Sequence, residues 1–260
     1  MSSPTSVVVH ADKATLAAAA AARFLTTVTD LQSSGQVPHV VLTGGSVGIA
    51  VLAELRDSPA RAAVDWARLH VWWGDERFLP AGDPERNETQ AREALLDHVD
   101  VDESLVHAVP AAGSPDGATA EAAADAYAAT LRAHRRPGDR VEVPRFDVLM
   151  LGMGPDGHMA SLFPEHPALH SGGTVTGVRG SPKPPPERVS LTFEAIRAAV
   201  EVWFVVAGED KAPAAAMALG GAGRRQIPAA GGQGTRRTLW LLDRAAASRL
   251  PDGLARPSSP

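Results

Sequence analysis

One histidine in a glycine-rich segment is the strongest candidate for acid–base chemistry in this chain. His158 lies in Gly-Met-Gly-Pro-Asp-Gly-His-Met-Ala-Ser, residues 152–161, directly after an apolar run. An imidazole changes protonation near neutral pH, so His158 can take a proton from water. Asp156 can either orient this imidazole or bind substrate hydroxyls, and the sequence leaves both roles open. A lone histidine is more often structural than catalytic, but the surrounding glycines and proline favour catalysis here.

A glycine-rich turn follows a second apolar run and is suited to an anionic ligand. Its residues are Thr43, Gly44, Gly45 and Ser46. Glycines let the backbone approach an anion closely, and free N–H groups at a helix start can donate to phosphate together with a hydroxyl. The alternative is a tight strand-to-helix turn in which Ser46 caps the helix.

Charged side chains follow two more apolar runs. Asp75 and Arg77 lie in Gly-Asp-Glu-Arg, residues 74–77, and buried charges at a strand end need partners. The planar guanidinium of Arg77 suits phosphate or carboxylate, although a solvated loop with a local salt bridge is the alternative. Arg188 and Lys211 could each neutralise a phosphate, although a single basic residue is more often solvated.

Short apolar runs alternate with longer helix-forming segments along the chain. The runs predict strands at residues 6–9, 39–42, 69–73, 146–151, 202–206 and 238–242, and helices at 12–31, 47–56, 87–98 and 118–134. This alternation predicts an α/β fold, a doubly wound and mostly parallel sheet with helices on both faces and room for a small additional lobe. Gly- and Pro-rich stretches, such as residues 180–186, are interpreted as surface loops. Ligands bind beyond the carboxyl ends of such strands, so the charged and glycine-rich segments should meet at one edge.

The composition narrows the class of protein. The chain has 260 residues, which fits one domain over residues 1–250 with a frayed tail over 251–260. A net charge of −5 gives no general electrostatic reason to bind nucleic acid or an anionic membrane. The absence of cysteine excludes disulfides and fits a cytoplasmic protein. Neither the histidine spacing of a zinc hydrolase nor a Gly-x-Ser-x-Gly elbow occurs, so we expect no metal and no cofactor in the reaction.

Taken together, these segments resemble the 6-phosphogluconolactonase family. The resemblance runs from about residue 7 to residue 243, and it rests on Gly-Gly-Ser, Trp-Gly-Asp-Glu-Arg, Gly-Met-Gly-Pro-Asp-Gly-His-Met-Ala-Ser-Leu-Phe-Pro, Arg-Val-Ser-Leu-Thr and Gly-Glu-Asp-Lys. It implies hydrolysis of 6-phospho-D-glucono-1,5-lactone to 6-phospho-D-gluconate, in the oxidative branch of the pentose phosphate pathway. The implied enzyme is a monomer or weak homodimer whose His158 acts as general base on water.

The resemblance also implies a division of roles within the site. The catalytic set is His158, Asp156 and Arg77, in which Arg77 or backbone amides stabilise the oxyanion. The substrate-binding set is Thr43, Gly44, Gly45, Ser46, Asp75, Arg188 and Lys211. The turn departs from the family's usual Gly-Gly-Ser-Thr-Pro, because Val47 and Gly48 replace the last two residues. Backbone donors and Ser46 survive, so we expect phosphate binding to be retained, although a weaker affinity is compatible with the lost hydroxyl.

Two alternatives follow from the fold that the family shares. Glucosamine-6-phosphate deaminases typically continue after the histidine with Ala-Phe-Asn-Glu, whose glutamate assists ring opening, whereas this chain has Phe163 at the glutamate's position. Arg77 stands where deaminases usually have tyrosine. A non-catalytic sugar-phosphate sensor would usually carry a separate DNA-binding domain, but here the α/β pattern begins within the first ten residues. Both comparisons favour the lactonase.

Overall fold

Ten strands form two sheets in the computed structural model, which describes residues 4–139, 141–251, 253–254 and 256–257. The strands are β1 (Thr5–His10), β2 (His39–Leu42), β3 (His70–Trp73), β4 (Asp75–Arg77), β5 (Val148–Leu151), β6 (Val175–Val178), β7 (Arg188–Leu191), β8 (Glu201–Val206), β9 (Arg237–Asp243) and β10 (Arg256–Pro257). The main sheet has seven parallel strands in the order β10-β1-β9-β8-β5-β2-β3. The doubly wound parallel sheet that the sequence predicts is confirmed.

Helices connect these strands across both faces of the sheet. The α-helices are α1 (Lys13–Ser33), α2 (Gly45–Asp57), α3 (Asn87–Ala94), α4 (Ala120–Ala133), α5 (Phe193–Ala198) and α6 (Ala212–Leu219). Short 3₁₀ turns cover Pro59–Ala63, Trp66–Arg68, Leu96–His98, Glu103–Leu105, Pro167–His170, Glu209–Lys211 and Pro228–Gly231. Among the helices described, none combines the length and the apolarity needed to cross a membrane.

Local geometry shows how α1 begins and where α3 ends. The side chain of Asp12 accepts a hydrogen bond from the Thr15 backbone N–H at 2.8 Å and caps the alanine-rich α1. The predicted helix over residues 87–98 is wrong in its last four residues, because α3 ends at Ala94. Leu95 leaves helical geometry with φ −145° and ψ −54°, and a 3₁₀ turn follows. Leu95 and Leu96 are both buried there.

Alternate residues of the central strands enter two separate hydrophobic clusters. Val40 and Leu42 pack with residues of α1, α2 and α3, whereas Val41, Leu149 and Leu151 pack with residues of α4, α5 and α6. Successive side chains of a strand point to opposite faces, so both faces of the sheet are covered. Each fully buried valine or leucine contributes about 1.5–3 kcal/mol to folding. The continuous apolar runs in the sequence therefore mark strands buried on both sides.

The second sheet is antiparallel, in the order β4-β7-β6. It begins one residue after β3, and the Leu191 N–H donates to the Gly74 carbonyl at 2.9 Å. Val178, Val189 and Leu191 of this sheet belong to the same hydrophobic cluster as α4. The small additional element anticipated from the sequence is thus a sheet that shares a core with the main sheet.

The carboxyl-terminal residues do not all behave as the predicted frayed tail. Arg256–Pro257 pair in parallel with β1 at the sheet edge. The remainder of that prediction falls partly on residues 252, 255 and 258–260, which lie outside the described residues.

The strand order creates one crevice suited to a ligand. The chain leaves β2 toward β3 on one side and leaves β5 toward β8 on the other, although β2 and β5 are neighbours. Ligands in open α/β sheets bind at such a reversal, beyond the carboxyl ends of the strands.

Candidate active site

A cavity of about 240 Å³ opens at this crevice. Its size suits a ligand of monosaccharide dimensions, because pockets for drug-sized ligands measure about 300–1,000 Å³. It brings together nine of the ten predicted site residues, and the tenth, Asp156, contacts His158 directly. The nine are Thr43, Gly44, Gly45, Ser46, Asp75, Arg77, His158, Arg188 and Lys211.

The turn between β2 and α2 forms the floor of the cavity. Gly44 is the N-cap of α2 and has no side chain to satisfy the first-turn N–H groups, so these donors are available to an anion. The alternative in which Ser46 caps the helix is wrong, since Ser46 lies inside the helix and is exposed. The Thr43 hydroxyl accepts a hydrogen bond from the Gly152 N–H at 3.2 Å and joins this turn to the loop after β5.

The departure at position 48 has a steric explanation. A Cβ atom on Gly48 would lie 2.4 Å from the carbonyl oxygen of Thr43 and 2.8 Å from its Cγ2 atom. A backbone oxygen cannot move away cheaply, so this arrangement of the turn requires glycine. Gly48 therefore supports the close approach of α2 to Thr43, and the turn keeps its backbone donors without proline.

His158 and Asp156 form a close pair at the cavity wall. The Nδ1 atom of His158 lies 2.6 Å from the Oδ1 atom of Asp156. An ionised carboxylate only accepts, so Nδ1–H donates and the other ring nitrogen, Nε2, keeps its lone pair. Partial burial raises the pKa of Asp156, but the hydrogen bond from His158, the charge that this ring carries when it is protonated and the charge of Lys183 outweigh the burial and hold this pKa well below its ordinary value. Asp156 thus contacts the imidazole, which is one of the two roles that the sequence left open.

The loop after β5 is built around this pair. A Cβ atom on Gly154 would lie 2.1 Å from both Cε1 and Nδ1 of His158 and 2.4 Å from the Asp156 carboxylate. Only glycine lets the backbone pass so close to the imidazole. The glycines of this motif therefore position the histidine as well as shaping the turn.

Phe163 packs against the side chains of both His158 and Arg188. Its buried ring lies 4.5 Å from the ring of His158, centroid to centroid, and the Arg188 guanidinium lies 5.7 Å from its centroid. A guanidinium over an aromatic face is attracted by the ring quadrupole. Phe163 is thus a packing platform for His158 and Arg188, which explains why an aromatic residue suits this position.

Asp75 is fixed by hydrogen bonds from neighbouring side chains. Its Oδ2 atom accepts a hydrogen bond from the Ser161 hydroxyl at 2.7 Å. The Asn87 side-chain amide donates to the Asp75 carbonyl at 2.9 Å and reaches its Oδ1 atom at 3.5 Å. Glu76 faces away from the cavity, because its carboxylate accepts from the backbone N–H groups of Asn87 and Glu88 at the start of α3.

Four cations line the cavity. Arg77 donates to the Glu85 carbonyl at 2.6 Å, and Lys211 pairs with Asp210 at 2.6 Å. The buried Arg188 donates to backbone carbonyls of residues 183–185 at 2.8–3.3 Å, so it also fixes the loop before β7. That loop carries the fourth cation, Lys183.

Lys183 is a site residue that the sequence reasoning missed. Its Nζ atom lies 3.4 Å from Nδ1 of His158 and 3.5 Å from Oδ1 of Asp156. The stretch around it was interpreted as a surface loop because it is rich in proline. The available signal was a lysine between prolines five residues before Arg188, since prolines reduce the backbone freedom that such a segment loses on folding.

Comparison with known proteins identifies the family. Residues 11–240 match the family described as glucosamine-6-phosphate isomerases/6-phosphogluconolactonase. The chain belongs to this family. It is 59% identical to the 6-phosphogluconolactonase of Streptomyces coelicolor over 260 residues, which is all of both chains.

Solved structures of the family agree with the fold. The 6-phosphogluconolactonase of Trypanosoma brucei superposes with a TM-score of 0.83 at 28% identity, covering 96% of this chain and 100% of that one. A monomeric glucosamine-6-phosphate deaminase superposes with a TM-score of 0.76 at 19% identity, covering 94% and 99%. The fold is therefore common to both activities within the family, and the site residues must distinguish them.

Proposed function

We propose that this protein hydrolyses 6-phospho-D-glucono-1,5-lactone to 6-phospho-D-gluconate. The observation that supports this reaction most directly is the His158–Asp156 pair. It faces a cavity that also contains a helix N-terminus and four cationic side chains. The full-length similarity to a 6-phosphogluconolactonase supports the same reaction. Phe163 and Arg77 stand where the deaminase pattern has glutamate and tyrosine, and neither supplies the carboxylate that assists ring opening.

His158 is proposed as the general base. Its Nε2 atom takes a proton from a water molecule, and the water oxygen bonds to the lactone carbonyl carbon as the carbonyl π electrons move to oxygen. The tetrahedral intermediate then collapses, the bond from that carbon to the ring oxygen breaks, and the imidazolium returns its proton to the leaving oxygen. Asp156 stabilises the transient imidazolium at Nδ1 and keeps the tautomer in which Nε2 is free. The released carboxylic acid ionises in solution.

The cations are proposed to divide between the two ends of the substrate. Lys183, 3.4 Å from the imidazole, is assigned to the negative charge that develops on the carbonyl oxygen. The first turn of α2 and the side chains of Arg77, Arg188 and Lys211 are assigned to the phosphate. Residues 1–250 are proposed to act as one domain, in the cytoplasm, as a monomer or a weak homodimer.

A comparison of two lactones tests this function. Acid release from freshly generated 6-phospho-D-glucono-1,5-lactone should be fast. Release from the unphosphorylated lactone should be much slower, because that substrate has no phosphate to bind the first turn of α2 and the cationic side chains. His158→Gln should lower turnover by about 10²-fold or more while leaving the fold intact. Equal rates with both lactones would contradict the phosphate assignment. A folded His158→Gln variant with a near-normal rate would contradict the general base.

The deaminase alternative is tested by ammonia release from glucosamine 6-phosphate. We expect none above the uncatalysed rate. Ammonia release together with slow lactone hydrolysis would replace the proposed function with the alternative.

A further inference from the structure

A group of histidines lies at the opposite edge of the main sheet, away from the active-site cavity. His70 begins β3, His107 follows the 3₁₀ turn at Glu103–Leu105, and His134 ends α4. The Val71 carbonyl accepts from the His107 N–H at 2.9 Å, which ties the second segment to β3. Three segments distant in sequence thus meet at the amino-terminal ends of the strands.

The ring nitrogens of these residues converge. One nitrogen from each ring lies within 4.8 Å of the other two, and Nδ1 of His70 is 2.9 Å from Nε2 of His107. Stacking on Trp72, with centroids 3.8 Å apart, fixes the ring plane of His107, and the 2.9 Å contact with His70 is a hydrogen bond in which one ring nitrogen donates to the lone pair of the other. A bound ion would replace the proton of this hydrogen bond. Around a tetrahedral ion with bonds of about 2.0–2.1 Å, ligand nitrogens lie roughly 3.4 Å apart, so small side-chain rotations would open the group to such an ion.

A hydrogen bond of His134 orients one of its ring nitrogens as a possible metal ligand. His134 donates from Nδ1 to the Thr130 carbonyl at 2.9 Å, which leaves Nε2 as the nitrogen with a lone pair. A ligating histidine commonly holds a backbone carbonyl in this way through its other nitrogen. His107 is buried and His70 is half-buried, so both rings are held by their surroundings. His39 stacks on His70, but its Nδ1 atom already accepts from Trp72 at 3.2 Å.

We propose that His70, His107 and His134 form a binding site for one divalent transition-metal ion, with Zn²⁺ as the expected occupant. Three imidazoles suit Zn²⁺ and related ions, and a water molecule would complete the tetrahedron. Two charged groups act on the His70 ring: Asp102 favours a cation there and Arg136 disfavours it. Because the site lies at the far edge of the sheet, the ion takes no part in lactone hydrolysis. It links β3, the loop before His107 and the end of α4.

Direct binding measurements test the site without using activity. The tag-free chain is treated with a chelator, exchanged into buffer and titrated with Zn²⁺ at neutral pH by calorimetry. We expect one ion per chain and a thermal unfolding midpoint that rises with the logarithm of the Zn²⁺ concentration. Absence of saturable binding would overturn the proposal.

Variants assign the ion to these residues. His134→Gln should weaken Zn²⁺ binding by about 100-fold or more, since loss of even an outer-shell partner costs about 10–100-fold. His107→Phe keeps the ring on Trp72 and should do the same, so the test does not depend on one variant folding. His170→Gln, at an exposed histidine outside the group, should bind as the parent chain does.

His158→Gln separates this site from the active site. If the ion binds at the histidine group, His158→Gln keeps the full stoichiometry and affinity. If binding is lost in His158→Gln and retained in His134→Gln and His107→Phe, the ion belongs to the catalytic cavity and the proposal fails. Because the readout is metal binding, neither outcome depends on whether the lactone is the substrate.

Discussion

Replacing Asp156 with asparagine should slow lactone hydrolysis without unfolding the protein. The carboxylate lies 2.6 Å from Nδ1 of His158, and the substitution removes its charge at nearly constant volume. In the proposed mechanism the imidazole becomes positive as it takes the proton from water, so the charge of Asp156 would stabilise the transition state more than the ground state. An asparagine amide can also donate to Nδ1, which would select the tautomer whose Nε2 is already protonated.

The magnitude follows from the separation and the burial of the two groups. Unit charges at about 4 Å attract by about 1 kcal/mol in water and by about 4 kcal/mol at an effective dielectric constant of about 20. The side chains of His158 and Asp156 are 17% and 32% exposed, which favours the upper half of this range. A loss of about 3 kcal/mol corresponds to about 10²-fold in kcat, with little change in KM because the phosphate contacts are untouched.

Continuous acid release from freshly prepared 6-phospho-D-glucono-1,5-lactone measures both constants. Glu165→Gln is the matched control, because it removes an exposed carboxylate that pairs with Arg225 at 3.6 Å and should leave kcat unchanged. Circular dichroism and thermal unfolding establish that each variant is folded. A folded Asp156→Asn variant with kcat within about threefold of the parent value would refute an electrostatic role for this carboxylate.

Three further predictions concern the loop before His158, the ammonium group of Lys183 and the histidines His39 and His107. Gly154→Ala should lower kcat by about 10²-fold, since the imidazole must move away from the new Cβ atom, whereas Gly172→Ala, where a Cβ meets open space, should not. Lys183→Met should lower kcat about tenfold with both the phosphorylated and the unphosphorylated lactone if its ammonium serves the carbonyl oxygen, and a loss confined to the phosphorylated lactone would assign it to the phosphate instead. Burial lowers the pKa of His39 to about 2 and that of His107 to about 3, so the unfolded chain binds more protons than the folded one below about pH 6.5. Urea unfolding of the metal-free protein should therefore show stability that is full above this pH and falls by about 1–2 kcal/mol per histidine toward about pH 5. A flat profile over this interval would contradict that prediction.

Strands buried on both faces were predictable because their apolar runs are continuous and end at glycine or charge. The run at residues 39–42 coincides with β2, and residues 238–242 fall inside β9. The strands β4, β6 and β7 were not predicted, since each has only three or four residues and mixes polar with apolar side chains. Their pairing depends on the approach of Gly74 to Leu191, a contact between segments more than a hundred residues apart.

Residues that line the cavity were predictable where a single segment carries them after a strand. The histidine motif, the glycine turn and the Asp-Glu-Arg segment each lie at the end of one parallel strand, and the sheet brings those ends to one edge. Lys183 lies in a loop whose carbonyls accept hydrogen bonds from Arg188, and no periodicity in the sequence reveals that arrangement. The group formed by His70, His107 and His134 could not be predicted from the sequence either, because its three members come from three separate segments.

The ring of Phe163 constrains how the two activities of this family can interconvert. A glutamate at this position would remove the aromatic surface that the His158 imidazole and the Arg188 guanidinium both contact, and it would bury a carboxylate at a position that is 1% exposed. We expect this substitution alone to lower lactonase activity, because His158 and Arg188 would lose their shared aromatic contact. A change from one activity to the other, by evolution or by design, would therefore also need substitutions that restore the packing around His158. Several coupled substitutions would be required rather than one.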